Sequence, residues 1–229
     1  MKVTKFLYLL IFSSIFIFNA CKTKSQGFEG RVIYKSSIER PTNSNIPDSI
    51  FKMMFNDVVD TNEITTFYIK KDFFKMVTNG KHTSTVLYDP ELKRNYVYMK
   101  EQPDFCMWSE VTSDNQPLPK ITKNLNDTII VLDKKCYSIT IDYGAISKNI
   151  LYYPIDIMID LKELENNKLG LMGYFSKIET MPYKIIMTGN GAVHNLGYTL
   201  KEIVNENLDD SIFKVPKFKN MMKSPFFQK

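Results

Sequence analysis

The chain has 229 residues, with 30 basic and 25 acidic side chains, a formal charge of +5, 44% apolar and 24% charged residues. This is the make-up of one ordinary globular domain and excludes disorder over most of the length. Two histidines and three cysteines exclude a His-rich metal protein and a disulfide-dense scaffold, while thirteen Tyr and sixteen Phe against nine Gly point to β-structure, since aromatics suit a pleated, half-buried surface.

Lys2 and Lys5 precede an apolar run from Phe6 to Phe18 broken only by Ser13 and Ser14. At ~1.5 Å per residue that run spans roughly 20 Å, short of the ~30 Å hydrocarbon core. It reads as a signal-peptide h-region rather than a membrane span. The run ends Phe18-Asn19-Ala20-Cys21, which resembles a bacterial lipobox with Phe18 where Leu is usual. The expected organisation is a signal peptide over 1–20, a lipidated Cys21 with a polar tether to residue 27, a folded domain over 28–219, and a basic-apolar tail over 220–229. The lipid would make the membrane a partner, with the protein on the outer membrane of a bacterial envelope, facing the periplasm. No run of acids follows Cys21, which favours that side. Loss of Lys2 and Lys5 leaves a charge of +3, too little to argue for nucleic acid. A monomer is expected.

From Phe28 onward the pattern alternates with period two. Phe28, Val32, Tyr34 and Ile38 share one face of the first strand. Strands are predicted over 63–70 and 72–78, followed by Asn79-Gly80, a type I′ hairpin signal. Further strands are predicted over 81–89, 93–99, with Tyr96 and Tyr98 on one face, and 105–111. A hairpin is predicted around Asp133-Lys134-Lys135, joining 128–132 to 136–143. The apolar stretch 150–159 is broken by Pro154, and a last hairpin joins 183–188 to 193–204 through Gly189-Asn190-Gly191. The class is mainly β, an antiparallel sheet with short turns.

One helix stands out over 47–60. Ile50, Met53, Met54 and Val58 fall at helical spacing, with Pro47 and Asp48 suited to its first turn. It reads either as a plug in a curved sheet or as an adaptable, Met-rich lid. A second short helix is predicted over 161–168.

These features resemble the LolA/LolB superfamily of lipoprotein carriers. Phe28-Glu29-Gly30-Arg31-Val32-Ile33-Tyr34, Lys135-Cys136-Tyr137, Leu151-Tyr152-Tyr153 and Asp210-Ser211-Ile212-Phe213-Lys214-Val215-Pro216 resemble segments of uncharacterised Bacteroidota lipoproteins of the DUF4412/GLPGLI type. The GLPGLI signature itself is absent; only Leu171 to Tyr174 resembles it. The resemblance implies a curved half-barrel enclosing an apolar cavity and does not itself imply a catalytic site.

Chemistry-bearing motifs are sparse. There is no nucleophile elbow and no phosphate loop, and His82 and His194 have no metal-ligand spacing. No cofactor, metal or catalytic residue is expected. Asp209-Asp210 reads as a solvated turn, and 217–229 as a frayed basic-apolar terminus. If Cys21 carries lipid, Cys106 and Cys136 remain in an oxidising compartment, either bridged or separately buried. The functional expectation is a non-catalytic lipoprotein that binds an acyl chain, lipid or lipoprotein. The expected cavity residues are Ile50, Met53, Met54, Val58, Tyr137, Ile139, Ile141, Tyr183, Ile185 and Met187. The alternatives are a structural or interaction lipoprotein with a self-filled core and, behind it, an envelope hydrolase.

Overall fold

Alternating apolar and polar side chains over most of the chain leave it little choice but a sheet, and a computed structural model shows one. It describes residues 27–41, 46–55, 62–111, 119–144, 147–161, 172–189 and 195–224. In chain order the elements are β1 (Glu29–Glu39), α1 (Asp48–Phe55), β2 (Ile64–Lys70), β3 (Phe73–Asn79), β4 (Thr83–Asp89), β5 (Arg94–Met99), β6 (Phe105–Glu110) and β7 (Lys120–Val131). There follow β8 (Lys134–Asp142), β9 (Ser147–Tyr153), α2 (Met172–Ile178), β10 (Lys184–Gly189), β11 (Asn195–Asn205), a 3-10 turn (Asp210–Phe213) and β12 (Asn220–Lys223). All twelve strands form one open, curved sheet in the order β12-β6-β5-β4-β3-β2-β1-β11-β10-β9-β8-β7. Neighbours are antiparallel except β12, which runs parallel to β6. The fold is the mainly β, curved antiparallel sheet that the alternation predicts.

The sheet has an inner and an outer face, and both are apolar. On the inner face the register sets Val32 beside Phe67, Phe74 beside Tyr88, Tyr34 beside Leu200, and Leu151 between Ile139 and Ile185. These side chains belong to the larger core. α2 and the turn after it add Phe175, Ile178 and Met181 to that core, which takes in Phe74 of β3 and Tyr88 of β4 as well as β1, β2 and β8 to β11. The Phe175 ring meets Phe67 edge-on at 6.4 Å, and Tyr143 meets Tyr174 at 6.3 Å. Tyr34 donates its phenol hydrogen to the carbonyl of Pro182 at 2.8 Å, which satisfies the one polar atom that a buried Tyr brings with it. Burial drives the Tyr34 hydroxyl far above its ordinary range, so it stays a donor.

On the outer face a smaller core of Leu87, Tyr96 and Cys106 packs against Val215 and Phe218. The chain from Glu206 to Lys219 supplies this cover as a strap. Its first part is pinned by Glu29, whose carboxylate accepts from the Leu208 amide at 2.7 Å, and by Lys70, which donates to the Leu208 carbonyl at 2.6 Å and pairs with Asp210 at 2.8 Å. Phe213 then packs on Phe73 at 5.7 Å and Phe218 on Tyr98 at 5.1 Å. The strap ends in β12, where Lys223 lies 5.3 Å from the Trp108 ring and 3.4 Å from Glu110.

Several expectations need correcting. The first residues of the expected tail, Asn220 to Lys223, are an edge strand. Asp209 and Asp210 are not merely solvated: Asp209 accepts from the Ser211 amide and caps the 3-10 turn, while Asp210 pairs with Lys70. Asn79-Gly80 does not form a two-residue type I′ turn, because Asn79 pairs with Thr83 and leaves a longer loop. The tight turn lies instead at Leu132-Asp133, where both residues have positive φ, 48° and 58°. β7 begins at Lys120, well before the expected Thr128, with a register shift between Asn124 and Thr128. The 150–159 stretch is a strand only to Tyr153, as Pro154 dictates. The predicted helix over 161–168 lies outside the described residues beyond Leu161, as does the Asn190-Gly191 turn.

Candidate apolar ligand site

The expected cavity residues fall into two groups. Ile139, Ile141, Tyr183 and Ile185 are buried in the larger core, in the half of the sheet that α2 fills; Tyr137 and Met187 are half-buried. On α1, Ile50, Met53 and Met54 are 45%, 74% and 52% exposed, whereas Phe51 is buried. The helix therefore turns the expected apolar stripe outward and inserts its neighbour. Val58 lies outside the described residues. The structure does not bring the α1 stripe and the strand residues together in one core. The plug of the inner face is α2, which alternation and spacing did not single out.

Toward β6 and β12 the inner face is less closed. Strand register lines up Met76 of β3, Val86 of β4, Val97 of β5, Met107 of β6 and Met222 of β12 directly opposite one another. At ~4.8 Å per strand this row is roughly 19 Å long. Its first four members are half-buried, Met76 and Val86 against the edge of the larger core, and Met222 is exposed, unlike the fully buried side chains beneath α2. Phe105, on the same face of β6 as Met107, is half-buried, and Met99, on the same face of β5 as Val97, is exposed. Two thioethers among the inner four make the row adaptable in shape, since Met is unbranched and polarisable. One step further along the strands lies a second row, Tyr88, Asn95 and Ser109, all buried. α1 is inserted between the end of β1 and the start of β2, at the rim that also carries the β3–β4 and β5–β6 turns.

None of these residues was among the expected cavity residues. The signal was present: Asn95, Val97 and Met99 alternate with Tyr96 and Tyr98, so both faces of β5 are apolar. Alternation separates two faces without saying which is inner, and here the strap makes the aromatic face the outer one.

Burial pushes the Cys136 thiol up to about 11 and also raises that of Cys106, so both are neutral thiols at ordinary pH. Among the described residues no group of three or more His, Cys, Asp or Glu is placed to hold a metal ion. Asp156 carries a depressed carboxyl because Lys134 donates to it at 2.9 Å, a surface pair. No helix among the described residues is long and apolar enough to cross a membrane.

The cysteine pair is settled by topology. Cys106 on β6 and Cys136 on β8 are both free and buried, in separate cores, with eight strands between theirs in the sheet. A disulfide needs Cα atoms within ~7 Å, so of the two alternatives this sheet order favours separate burial, with the two acting as small apolar side chains. Thiol counting on the unreduced protein is expected to find neither thiol before denaturation and both after it. A denatured chain with no reactive Cys106 or Cys136 would contradict this topology.

No protein-family profile matches the chain, and no curated protein matches it. Solved structures with a similar shape include PNGF-II, at 12% identity and a TM-score of 0.44, over 86% of this chain and 31% of that one. An uncharacterised conserved protein from Thermus thermophilus aligns over 93% of this chain and 99% of its own, at 9% identity and a TM-score of 0.44. The LolA superfamily protein NE2245 from Nitrosomonas europaea aligns over 83% of this chain and 91% of its own, at 12% identity and a TM-score of 0.33. This chain spans about a third of the PNGF-II chain. At these TM-scores the functional reading rests on the sheet and its faces.

Proposed function

We propose that the protein is a non-catalytic envelope lipoprotein, held by lipid on Cys21, that binds the apolar part of an amphiphile on the inner face of β3 to β6. The observation that carries this reading is the half-open row Met76, Val86, Val97, Met107 and Met222 beside a half of the same sheet that α2 closes. A chain of ten methylenes laid there would gain roughly 8 kcal/mol gross. After ordering and immobilisation costs this corresponds at best to micromolar affinity, suited to a carrier that must also release its load. The exposed Ile50, Met53 and Met54 stripe of α1 places an apolar surface at the same rim.

The binding arm is tested by replacing Val97 and Met107 with Glu together. Two carboxylates in the row would make an acyl chain pay their desolvation, so binding of diphenylhexatriene or a fluorescent fatty acid is expected to fall at least a hundredfold. Both side chains are half-buried, so the far-ultraviolet spectrum should stay β-like. Undiminished binding would remove the row from the site. The anchoring arm is tested by Cys21→Ser, which should move the protein from the membrane to the soluble envelope fraction, because acyl chains supply ~0.8 kcal/mol per buried CH₂. A Cys21→Ser protein that is normally processed and still wholly membrane-bound would refute the anchor.

A second reading has its own observation. Phe175 and Met181 are fully buried, so one half of the inner face is filled by the chain itself. A structural lipoprotein with a self-filled core would extend that filling across β3 to β6, and it would bind no apolar probe at all.

A further inference from the structure

Asn95 lies on the inner face of β5, opposite Tyr88 on β4 and Ser109 on β6, and it is only 5% exposed. Among the described residues neither its Nδ2 nor its Oδ1 has a hydrogen-bond partner. Folded proteins rarely leave a buried amide with both ends unpaired, and keeping it so opposes folding. Asn95 also stands two residues from Val97 on the same face, within ~7 Å of the middle of the apolar row.

Building on the apolar face proposed above, we infer that Asn95 is the polar end of that site and selects amphiphiles whose acyl chain ends in a neutral amide. The argument is one of donors and acceptors. Asn95 presents one unpaired acceptor and one unpaired donor group, so the complement must carry both a hydrogen to give and a lone pair to receive it. An amide head does this with two parallel hydrogen bonds. An ester carries only acceptors and leaves Oδ1 unpaired. A carboxylate would set its charge against Oδ1, and Tyr88 and Ser109, the register neighbours on this face, bring no cation to balance it. The chain then runs from Asn95 across the Val97 row, which extends from β5 toward Met76 on one side and Met222 on the other.

The test displaces diphenylhexatriene, which has no polar group, with dodecanamide and with methyl dodecanoate, two ligands of one chain length. On the parent protein the amide is expected to displace the probe at about fivefold to tenfold lower concentration than the ester, the value of one extra buried hydrogen bond. In Asn95→Leu the two should displace equally, the probe itself should still bind, and the ligand-free protein should melt a few degrees higher because an unpaired amide is gone. Asn95→Thr keeps a strand-favouring residue too short to reach the head group and should also lose the preference. Equal displacement by amide and ester on the parent protein overturns the role of Asn95 and leaves the apolar face standing. A preference that survives both substitutions overturns it equally. A parent protein that binds no probe takes down the apolar face, and this inference with it.

Discussion

Replacing Phe175 by Ala is expected to lower the stability of the fold by about 3–5 kcal/mol, the range for deleting a fully buried aromatic ring. Phe175 is 0% exposed and sits on α2, the one described helix that closes the inner face. Its ring touches Phe67 edge-on, and the chain that follows it carries Met181 and the Pro182 carbonyl that holds Tyr34. The vacated volume cannot collapse, because the strands beneath are fixed by their ladders and α2 is tied through Tyr174 and Ile178 as well. A domain of this size has a total stability of about 5–15 kcal/mol, so the loss is a large share of it. Denaturant unfolding should show a lowered midpoint with an unchanged slope. A change below about 1 kcal/mol would mean that α2 does not plug the sheet.

Gly30→Ala is expected to be nearly as damaging, by about 2–4 kcal/mol, through backbone strain and overpacking rather than a cavity. Gly30 has a φ of +154° and lies in β1, paired with Ile69 on one side and Asn205 on the other. A Cβ built there would collide with the backbone carbonyl oxygen of Val204, which no side-chain rotation relieves. Either β11 moves away or the end of the β1 ladder opens, next to the Glu29 carboxylate that holds the strap at Leu208. Gly144 provides the contrast within the same chain. Its φ is +70°, but nothing lies within 4 Å of an added Cβ, so Gly144→Ala should lose only the ~1 kcal/mol of backbone strain. Equal effects of the two substitutions would contradict the close β1–β11 approach.

Much of the fold was legible because the evidence for a strand is local. Alternation at Val32-Tyr34, Ile139-Ile141 and Phe67-Ile69 needs nothing but the pleat to be read. What was not legible depends on distant chain. Met172 to Ile178 is short and includes Gly173, so it carries little helical signal of its own; the inner face it fills makes it a helix. The 47–60 segment shows the reverse case, a clear apolar stripe whose members Ile50, Met53 and Met54 are turned outward while Phe51 is buried. Asn220 to Lys223 reads as tail because its partner strand, β6, lies more than a hundred residues earlier. The separation of Cys106 from Cys136 was equally hidden, since sheet order, not chain order, sets their distance. The β3 to β6 row was not singled out because the strap over Tyr96 and Tyr98 decides which face of β5 is inner, and only the assembled sheet places it there.

The central claim is that β3 to β6 present an open apolar site while the half beneath α2 is closed. Methyl resonances of the protein labelled at its methionines measure this directly, because Met76 and Met107 lie in the row and Met181 lies fully buried beside α2. Titration with dodecanamide is expected to shift Met76 and Met107 in a saturable manner and to leave Met181 where it is. Shifts confined to Met181, or no saturable shift at Met76 and Met107, would contradict it.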